Sequence, residues 1–144
     1  GGPGGQGAAR FVENWCRVGI QSLLTGLIVA DVHSALLEVD DRYFRETREQ
    51  RLGRALEEVQ AGREDRLDAI RAALEPARAT FQQRPFLCGQ DALFSDFILF
   101  GTLQWARATS SFRILAEDDP VHDWFERCLD LYGGLGRSQP PRAA

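Results

Sequence analysis

Few side chains in this sequence are of a type and spacing that could catalyse a reaction. A nucleophile needs a base in reach, and only His33 and His122 could supply an imidazole base. Cys16 and His33 are too far apart on one predicted helix to touch. His122 stands beside Asp123 near a predicted helix start, a position typical of a solvated histidine. The sequence therefore predicts no catalytic residue in this chain.

Metal and phosphate sites are not predicted either. The sequence has no His-x-x-x-His or Glu-x-x-His pair, and Asp31 and His33 face two sides of one predicted helix. The three cysteines have no paired spacing, which argues against a zinc site or a disulfide scaffold and favours a reducing cytoplasm. The segment GGLGR is predicted to end a helix, so it does not form a phosphate-binding loop.

Asp96 is the most unusual acid, because it lies inside the apolar run FLCGQDALFSDFILFG at 86–101. A catalytic acid needs a cleft and a partner, and the sequence shows neither. An acid in the first turn of a helix can instead accept from the unpaired backbone N–H groups there. We therefore predict that Asp96 is a structural helix-cap residue, with Asp91 or Ser95 as further candidates to cap the same helix. Asp119 is predicted to cap the last helix, with a proline at its first position.

Helices are the only regular elements that the pattern predicts, so the predicted fold class is all-α. The first helix runs from about Ala8 to Leu37. Because it is apolar over a broad arc, we expect it to be mostly enclosed. The residues expected to share its two neighbouring apolar faces are, on one, Phe11, Trp15, Val18, Ser22, Gly26, Val29, His33 and Leu36, and on the other, Val12, Cys16, Leu23, Leu27 and Ala30.

The remaining segments differ in charge and apolarity. Residues 38–66 are rich in Arg and Glu over a thin apolar stripe, which fits either a solvated face or an electrostatic contact with a partner. Residues 67–81 keep an apolar spacing of three and four, and Pro76 is expected to kink or divide that helix. A turn then precedes a buried central helix, and the last helix ends at Gly133 and Gly134.

The composition is that of one globular domain, with 44% hydrophobic and 26% charged residues among 144. The apolar runs are too short to cross a bilayer, so no membrane partner is predicted. A net charge of −4 without a basic block argues against nucleic acid as a partner. All 17 basic residues are arginine, which favours a GC-rich bacterial source. Residues 1–7 are expected to be linker-like and 136–144 disordered.

The segments PFLCGQDALFSDFILFG, TLQWAR and DDPVHDWFERCLDLYGGLG resemble the C-terminal domain of glutathione transferases. They are most similar to bacterial members that include the lignin β-etherase-like and Ure2-like groups. The resemblance covers residues 8–135, and its most specific part is the turn with Asp96. In that family the acid belongs to a Ser/Thr-x-x-Asp capping box, and Leu93 stands here where the hydroxyl residue is expected.

The resemblance implies a function for the whole protein. Glutathione would be the co-substrate, bound and activated mainly by a preceding thioredoxin-like domain that this chain does not include. The chain would then supply the wall for a hydrophobic electrophile and part of a homodimer interface, and would be inactive alone. The resemblance places that wall on the later first helix and the central helix, at Gly26, Val29, His33 and Trp105. For the histidine a core or surface role is the alternative, and for the tryptophan plain core packing.

A second function class stays open at this point. Helical domains of this family also serve as non-catalytic assembly modules, in which case the charged residues 42–66 would contact a partner. The sequence encoded ahead of Gly1 would discriminate the two, because a thioredoxin-like segment there indicates the enzyme.

Overall fold

The computed structural model describes residues 2–36 and 38–144. Within these ranges every regular element longer than a turn is a helix. Two short 3₁₀ turns lie at Arg63–Arg66 and Leu135–Ser138. The prediction of an all-α fold is confirmed. The seven α-helices of the described residues are α1 (Pro3–Ser34), α2 (Glu38–Leu52), α3 (Leu56–Gln60), α4 (Leu67–Ala73), α5 (Glu75–Phe81), α6 (Phe94–Thr109) and α7 (Pro120–Gly134).

Helix α1 begins at Pro3, earlier than the predicted start near Ala8, so part of the predicted linker is helical. A proline suits the first helical position, because the missing N–H would have no intrahelical partner there. The helix widens to π-type hydrogen bonding over Cys16–Gln21 and returns to α-type at Ser22. The predicted end at Leu37 lies outside the described residues.

The apolar arc of α1 is only partly enclosed, which corrects the prediction for this helix. Phe11 and Val18, both expected on an enclosed face, are 74% and 64% exposed. The buried arc takes Val29 from one predicted face and Cys16 and Leu27 from the other, so sequence periodicity alone could not say which part of the apolar arc is covered. The side chains that α1 does bury are Cys16, Ile20, Leu24, Leu27, Ile28, Val29 and Val32.

By length and composition alone, α1 is also apolar enough to cross a membrane, with a mean hydropathy of 1.3 over its most apolar window. Of that window, 39% is buried inside the domain. Ile20, Leu24 and Leu27 belong to the central core, so packing within the domain accounts for part of this apolarity.

Between α1 and the central helix, the chain follows the predicted apolar stripes. Leu56 and Val59 are buried against Val29, with Phe44 and Leu52 packed beside them. Pro76 divides the predicted third helix into α4 and α5, which meet at Leu74. Pro76 itself lies in the first turn of α5, where its missing N–H costs no helical hydrogen bond.

Helices α6 and α7 complete the core. Trp124 of α7 is fully buried and stacks on Phe81 of α5 at 4.8 Å between ring centroids. Leu99 and Leu103 of α6 lie in the same cluster. Helical geometry in α7 stops before Gly133, because Leu131 is extended and Tyr132 has a φ of 54°.

The last residues lie back along α6, where the sequence predicted a disordered tail. The backbone N–H of Arg142 donates to the Arg107 carbonyl at 2.9 Å, and Arg107 Nη1 donates to the Gln139 carbonyl at 2.8 Å. These contacts bring residues 139–142 beside the C-terminal end of α6.

Candidate functional site

Asp96 lies in the first turn of α6, is fully buried and accepts three hydrogen bonds. Its Oδ1 accepts from the backbone N–H of Leu87 at 2.9 Å and from the indole Nε1 of Trp124 at 3.0 Å. Its Oδ2 accepts from the backbone N–H of Leu93 at 3.0 Å. One carboxylate thus joins the 86–89 turn, the start of α6 and helix α7.

Leu93 occupies the N-cap position of α6, with an extended backbone and a 51% exposed side chain. A leucine side chain has no acceptor atom, so only the acid half of a capping box can form here. Asp91 is exposed two residues earlier, and Ser95 is the second residue of the helix. Neither of these two candidates therefore stands at the N-cap.

Asp119 is at the N-cap of α7, and its Oδ1 accepts from the backbone N–H of Val121 at 2.9 Å. Arg78 of α5 donates to both carboxylate oxygens, at 3.1 and 2.8 Å. Burial acts to raise the pKa of Asp119, but the hydrogen bonds from Arg78 and Val121 hold that pKa below its usual range. The same residue caps α7 and joins it to α5.

Two of the four residues that the resemblance places in a substrate wall lie together. Val29 and Trp105 line a cavity of about 160 Å³ between α1, α2 and α6. Pockets that enclose a small-molecule ligand usually measure about 300–1,000 Å³. This cavity is therefore too small to enclose a small-molecule ligand by itself. Its other apolar lining residues are Val32, Phe44 and Leu52.

Gly26 and His33 lie outside this cavity lining. A Cβ atom at Gly26 would lie 2.8 Å from Nη1 of Arg66, so the Arg66 guanidinium is in close contact with α1 at Gly26. His33 is largely buried, pairs with Asp41 and lies 3.4 Å from the Arg45 guanidinium. In this chain the two residues contact charged side chains that join α1 to neighbouring segments.

The buried thiols are poor nucleophiles. Burial raises the pKa of Cys16 to about 11. Burial, followed by the nearby Asp96 carboxylate, raises the pKa of Cys128 to about 12. Because the thiolate is the reactive form, both side chains are protonated and inert near neutral pH.

Two surfaces expose large apolar side chains. The α1 surface consists of Phe11, Val18 and Leu23, the last 39% exposed. The α6–α7 surface consists of Leu93, Phe94, Tyr132 and Leu135, and the Phe97 ring lies 6.1 Å from that of Tyr132. Apolar surfaces of this kind are typical of protein contacts.

Comparison with known proteins identifies the family. The family model described as glutathione S-transferase, C-terminal domain, matches residues 8–131, which is most of the chain. The chain belongs to this family. Its structure is also similar to glutathione transferase GSTFuA3 from Phanerochaete chrysosporium, with a TM-score of 0.68 and 26% sequence identity. That alignment covers 92% of this chain and 51% of the fungal protein, so this chain spans about half of that protein's length.

This glutathione S-transferase C-terminal domain also contains a larger cavity, of about 410 Å³, that the sequence did not predict. Its walls come from the C-terminal half of α6, residues 112–117, the first turns of α7 and Pro141. These segments are brought together only by the tertiary fold, and no spacing of residue types along the sequence indicates the cavity.

Proposed function

We propose that this chain is the substrate-binding half of a glutathione transferase-like protein. A thioredoxin-like domain would bind glutathione and activate its thiol, and this chain would supply the apolar wall for an electrophile. The whole protein would transfer the thiol to that electrophile or cleave an ether with it. The observation that carries the proposal is the family match over residues 8–131, in a chain that spans half of a known glutathione transferase.

The geometry around Val29 and Trp105 supports this role. Their cavity of about 160 Å³ has a mixed lining of apolar and polar side chains and is too small to enclose a substrate alone. A second domain placed over it would close the site and exclude water. Thr25 and Gln21 in its lining add hydrogen-bonding groups that could orient a bound electrophile.

The exposed apolar surfaces support the presence of partners in the whole protein. The α1 surface and the α6–α7 surface lie on different helices, which suits one contact with a thioredoxin-like domain and one with a second copy in a homodimer.

The assembly-module alternative has weaker support from the charged segment 42–66. Arg45 pairs with Glu49 and Glu57, and Arg63 pairs with Asp31 of α1. Charges that are already paired within the domain contribute less to a partner contact. A stable complex formed through residues 42–66, with no thioredoxin-like sequence encoded ahead of Gly1, would favour the alternative.

The first test is activity. The purified chain with glutathione and chlorodinitrobenzene should show no turnover above the uncatalysed rate. The same chain joined to its thioredoxin-like domain should be active. Turnover by the chain alone, at rates usual for a glutathione transferase, would overturn the proposal.

The second test locates the wall in the active two-domain protein. Val29→Trp fills the small cavity and Trp105→Ala enlarges it, so both should raise the KM for the electrophile and leave the KM for glutathione unchanged. Ala69→Trp, on the exposed side of α4, is the matched control. Equal kinetics for all three variants would contradict the assignment of the wall.

A further inference from the structure

The small cavity beside Trp105 has a charged side as well as its apolar wall. Of the described residues that line it, Arg48 and Arg51 carry a charge and none is an acid. Both arginines belong to α2 and are three residues apart, so they lie on one face of that helix. The cavity of about 160 Å³ therefore combines apolar and aromatic side chains with two cations.

Arg48 has no acid at the helix positions that it can reach. The residues three and four positions away are Phe44, Arg45, Arg51 and Leu52. Among the side chains that the structure describes, no carboxylate forms an ion pair with Arg48 or Arg51. Like charges at this spacing repel each other and destabilise a helix slightly. An anion bound between the two guanidinium groups would remove that repulsion.

Arg45, one turn earlier on α2, is paired in the way that Arg48 is not. Its Nη1 donates to Glu49 Oε1 at 2.8 Å, and its Nη2 donates to Glu57 Oε1 at 2.5 Å. Glu49 directly follows Arg48 in the sequence, but its Oε1 accepts from Arg45 and from the backbone N–H of Leu56 at 3.2 Å. The acid nearest to Arg48 along the chain is therefore already engaged elsewhere.

The half-buried Arg48 side chain lies on an aromatic ring of the same cavity lining. The central carbon of its guanidinium is 4.8 Å from the centroid of the Phe44 ring, within the range of a cation–π contact. Phe44 is itself packed against the core, so it fixes the position of the cation. Because the ring covers one face of the guanidinium plane, the N–H groups within that plane can still donate to a carboxylate.

We infer that the electrophile is an aromatic compound that carries a carboxylate. The wall offers Phe44 and Trp105 for contact with an aromatic ring. The carboxylate accepts charge-assisted hydrogen bonds from Arg48 and Arg51, and a guanidinium can supply two parallel bonds to it. This inference rests on the proposed function, because it names the substrate class of the same wall. The two arginines are then the residues that set the substrate preference.

The reaction of such a substrate needs glutathione and no further reactant. In an aryl chloride, the glutathione sulfur attacks the ring carbon that bears the chlorine. A carbon–sulfur bond forms, the carbon–chlorine bond breaks, chloride leaves with the bonding electron pair, and the thiol proton passes to water. The carboxylate takes no part in these bond changes, so its contact with the arginines serves binding and orientation.

The first test measures binding to the chain alone. The probes 3,5-dinitrobenzoate and 3,5-dinitrobenzamide share one ring, and only the benzoate is charged. In NMR titrations the indole N–H signal of Trp105 should shift, and the benzoate should bind at least about tenfold more tightly, since hydrogen bonds between charged groups contribute that much. Equal affinity for the two probes, no binding of the benzoate, or no shift at Trp105 would each overturn the inference.

The second test measures turnover by the two-domain protein. The substrates are 4-chloro-3,5-dinitrobenzoate and 4-chloro-3,5-dinitrobenzamide, and each kcat/KM is divided by the uncatalysed rate constant to remove the difference in ring reactivity. This ratio should favour the benzoate by about tenfold. Turnover of chlorodinitrobenzene without a preference for the benzoate would overturn the inference alone. No turnover of any of the three compounds would overturn the proposed function and the inference with it.

Substitutions then assign the preference to the arginines. Arg48→Gln should lower the benzoate-to-benzamide ratio about tenfold, and Arg48→Lys should retain part of it. Arg51→Gln should have a smaller effect, because this side chain is exposed. Arg54→Gln makes the same charge change at an exposed arginine outside the cavity lining and should leave the ratio unchanged.

Glutathione itself carries carboxylates, so its KM is the discriminating control. If Arg48→Gln raised the KM for glutathione and left the benzoate-to-benzamide ratio unchanged, the arginines would hold the co-substrate and the inference would be overturned. An equal fall of the ratio in Arg48→Gln and Arg54→Gln would also overturn it, because net charge would then explain the preference.

Discussion

The two ends of α6 are each held by a buried or half-buried aspartate, but by different means. At the start, Asp96 accepts only from neutral donors, two backbone N–H groups and the Trp124 indole. At the end, Asp31 of α1 accepts from Ser110 Oγ at 2.5 Å and from Arg63 Nη1 at 2.6 Å. Gln60 adds a third hydrogen bond to Asp31 at 3.0 Å.

The difference separates local from long-range stabilisation. Asp96 is three residues from the N–H that it caps, a relation set by helix geometry and readable in sequence. Asp31 and Ser110 are 79 residues apart, and only the packing of α1 beside α6 joins them. The start of α6 therefore depends on a buried acceptor, and its end depends on an ion pair that is partly open to solvent.

The largest expected effect is at the start of α6. Asp96→Ala would leave the N–H groups of Leu87, Leu93 and Trp124 without an acceptor, and we expect a loss of about 3–5 kcal/mol in unfolding free energy. Urea unfolding of the chain measures it. Asp91→Ala, at the exposed aspartate nearby, should change stability by less than about 0.5 kcal/mol. Similar losses for both variants would mean that the buried carboxylate is not specially required.

At the C-terminal end of α6, Asp31→Asn should lower the unfolding free energy by about 1–2 kcal/mol at neutral pH. The effect is modest because the Asp31 side chain is partly exposed. This cost should depend on pH. Burial acts to raise the pKa of Asp31, but Ser110, Arg63 and Gln60 hold it below the ordinary value. Between the folded and unfolded pKa values the unfolded chain binds more protons, so this stabilisation is present above about pH 4 and is lost as the pH falls.

Urea unfolding of wild type and Asp31→Asn at several pH values tests this sign. The difference in unfolding free energy between the two proteins should become smaller as the pH falls from about 5 toward about 3. A gap that stays constant or widens on acidification would show that the ion pair does not hold this end of α6.

Ser110→Ala isolates the hydroxyl at the end of α6. The hydroxyl donates to Asp31 and accepts from the backbone N–H of Phe112 at 3.1 Å. Loss of this hydroxyl should lower the unfolding free energy by about 1–2 kcal/mol. Ser111→Ala is the matched control, expected to stay within about 0.5 kcal/mol of wild type in the same unfolding experiment. A larger effect at the control position would contradict the assigned hydrogen bonds.

The smallest expected effect is a gain at the start of α6. Leu93→Thr would place a hydroxyl at an N-cap whose backbone is already extended, and we expect about 0.5–1 kcal/mol of added stability. Phe94→Thr, one position inside the helix, should give no such gain. The thermal midpoint of Leu93→Thr measures the effect, and an unchanged or lowered midpoint would count against the cap geometry.

The sequence by itself determined the helical class and most of the local helix boundaries. Pro76 divides a helix and Asp119 begins one because the proline ring and the unpaired N–H groups act within a single turn. The acid half of the α6 capping box was readable for the same reason. The family was also recognisable from the segment around Asp96, and its match extends over 8–131.

Only the tertiary structure decided which faces and which distant residues meet. The sequence predicts the broad apolar arc of α1, but Phe11 and Val18 on that arc are exposed because none of the described elements covers them. The pairing of Asp31 with Ser110, and the cavity beside Arg107, join segments that lie far apart along the chain. The spacing of apolar residues predicts local helical structure over a few residues, whereas these contacts depend on how whole helices pack against one another.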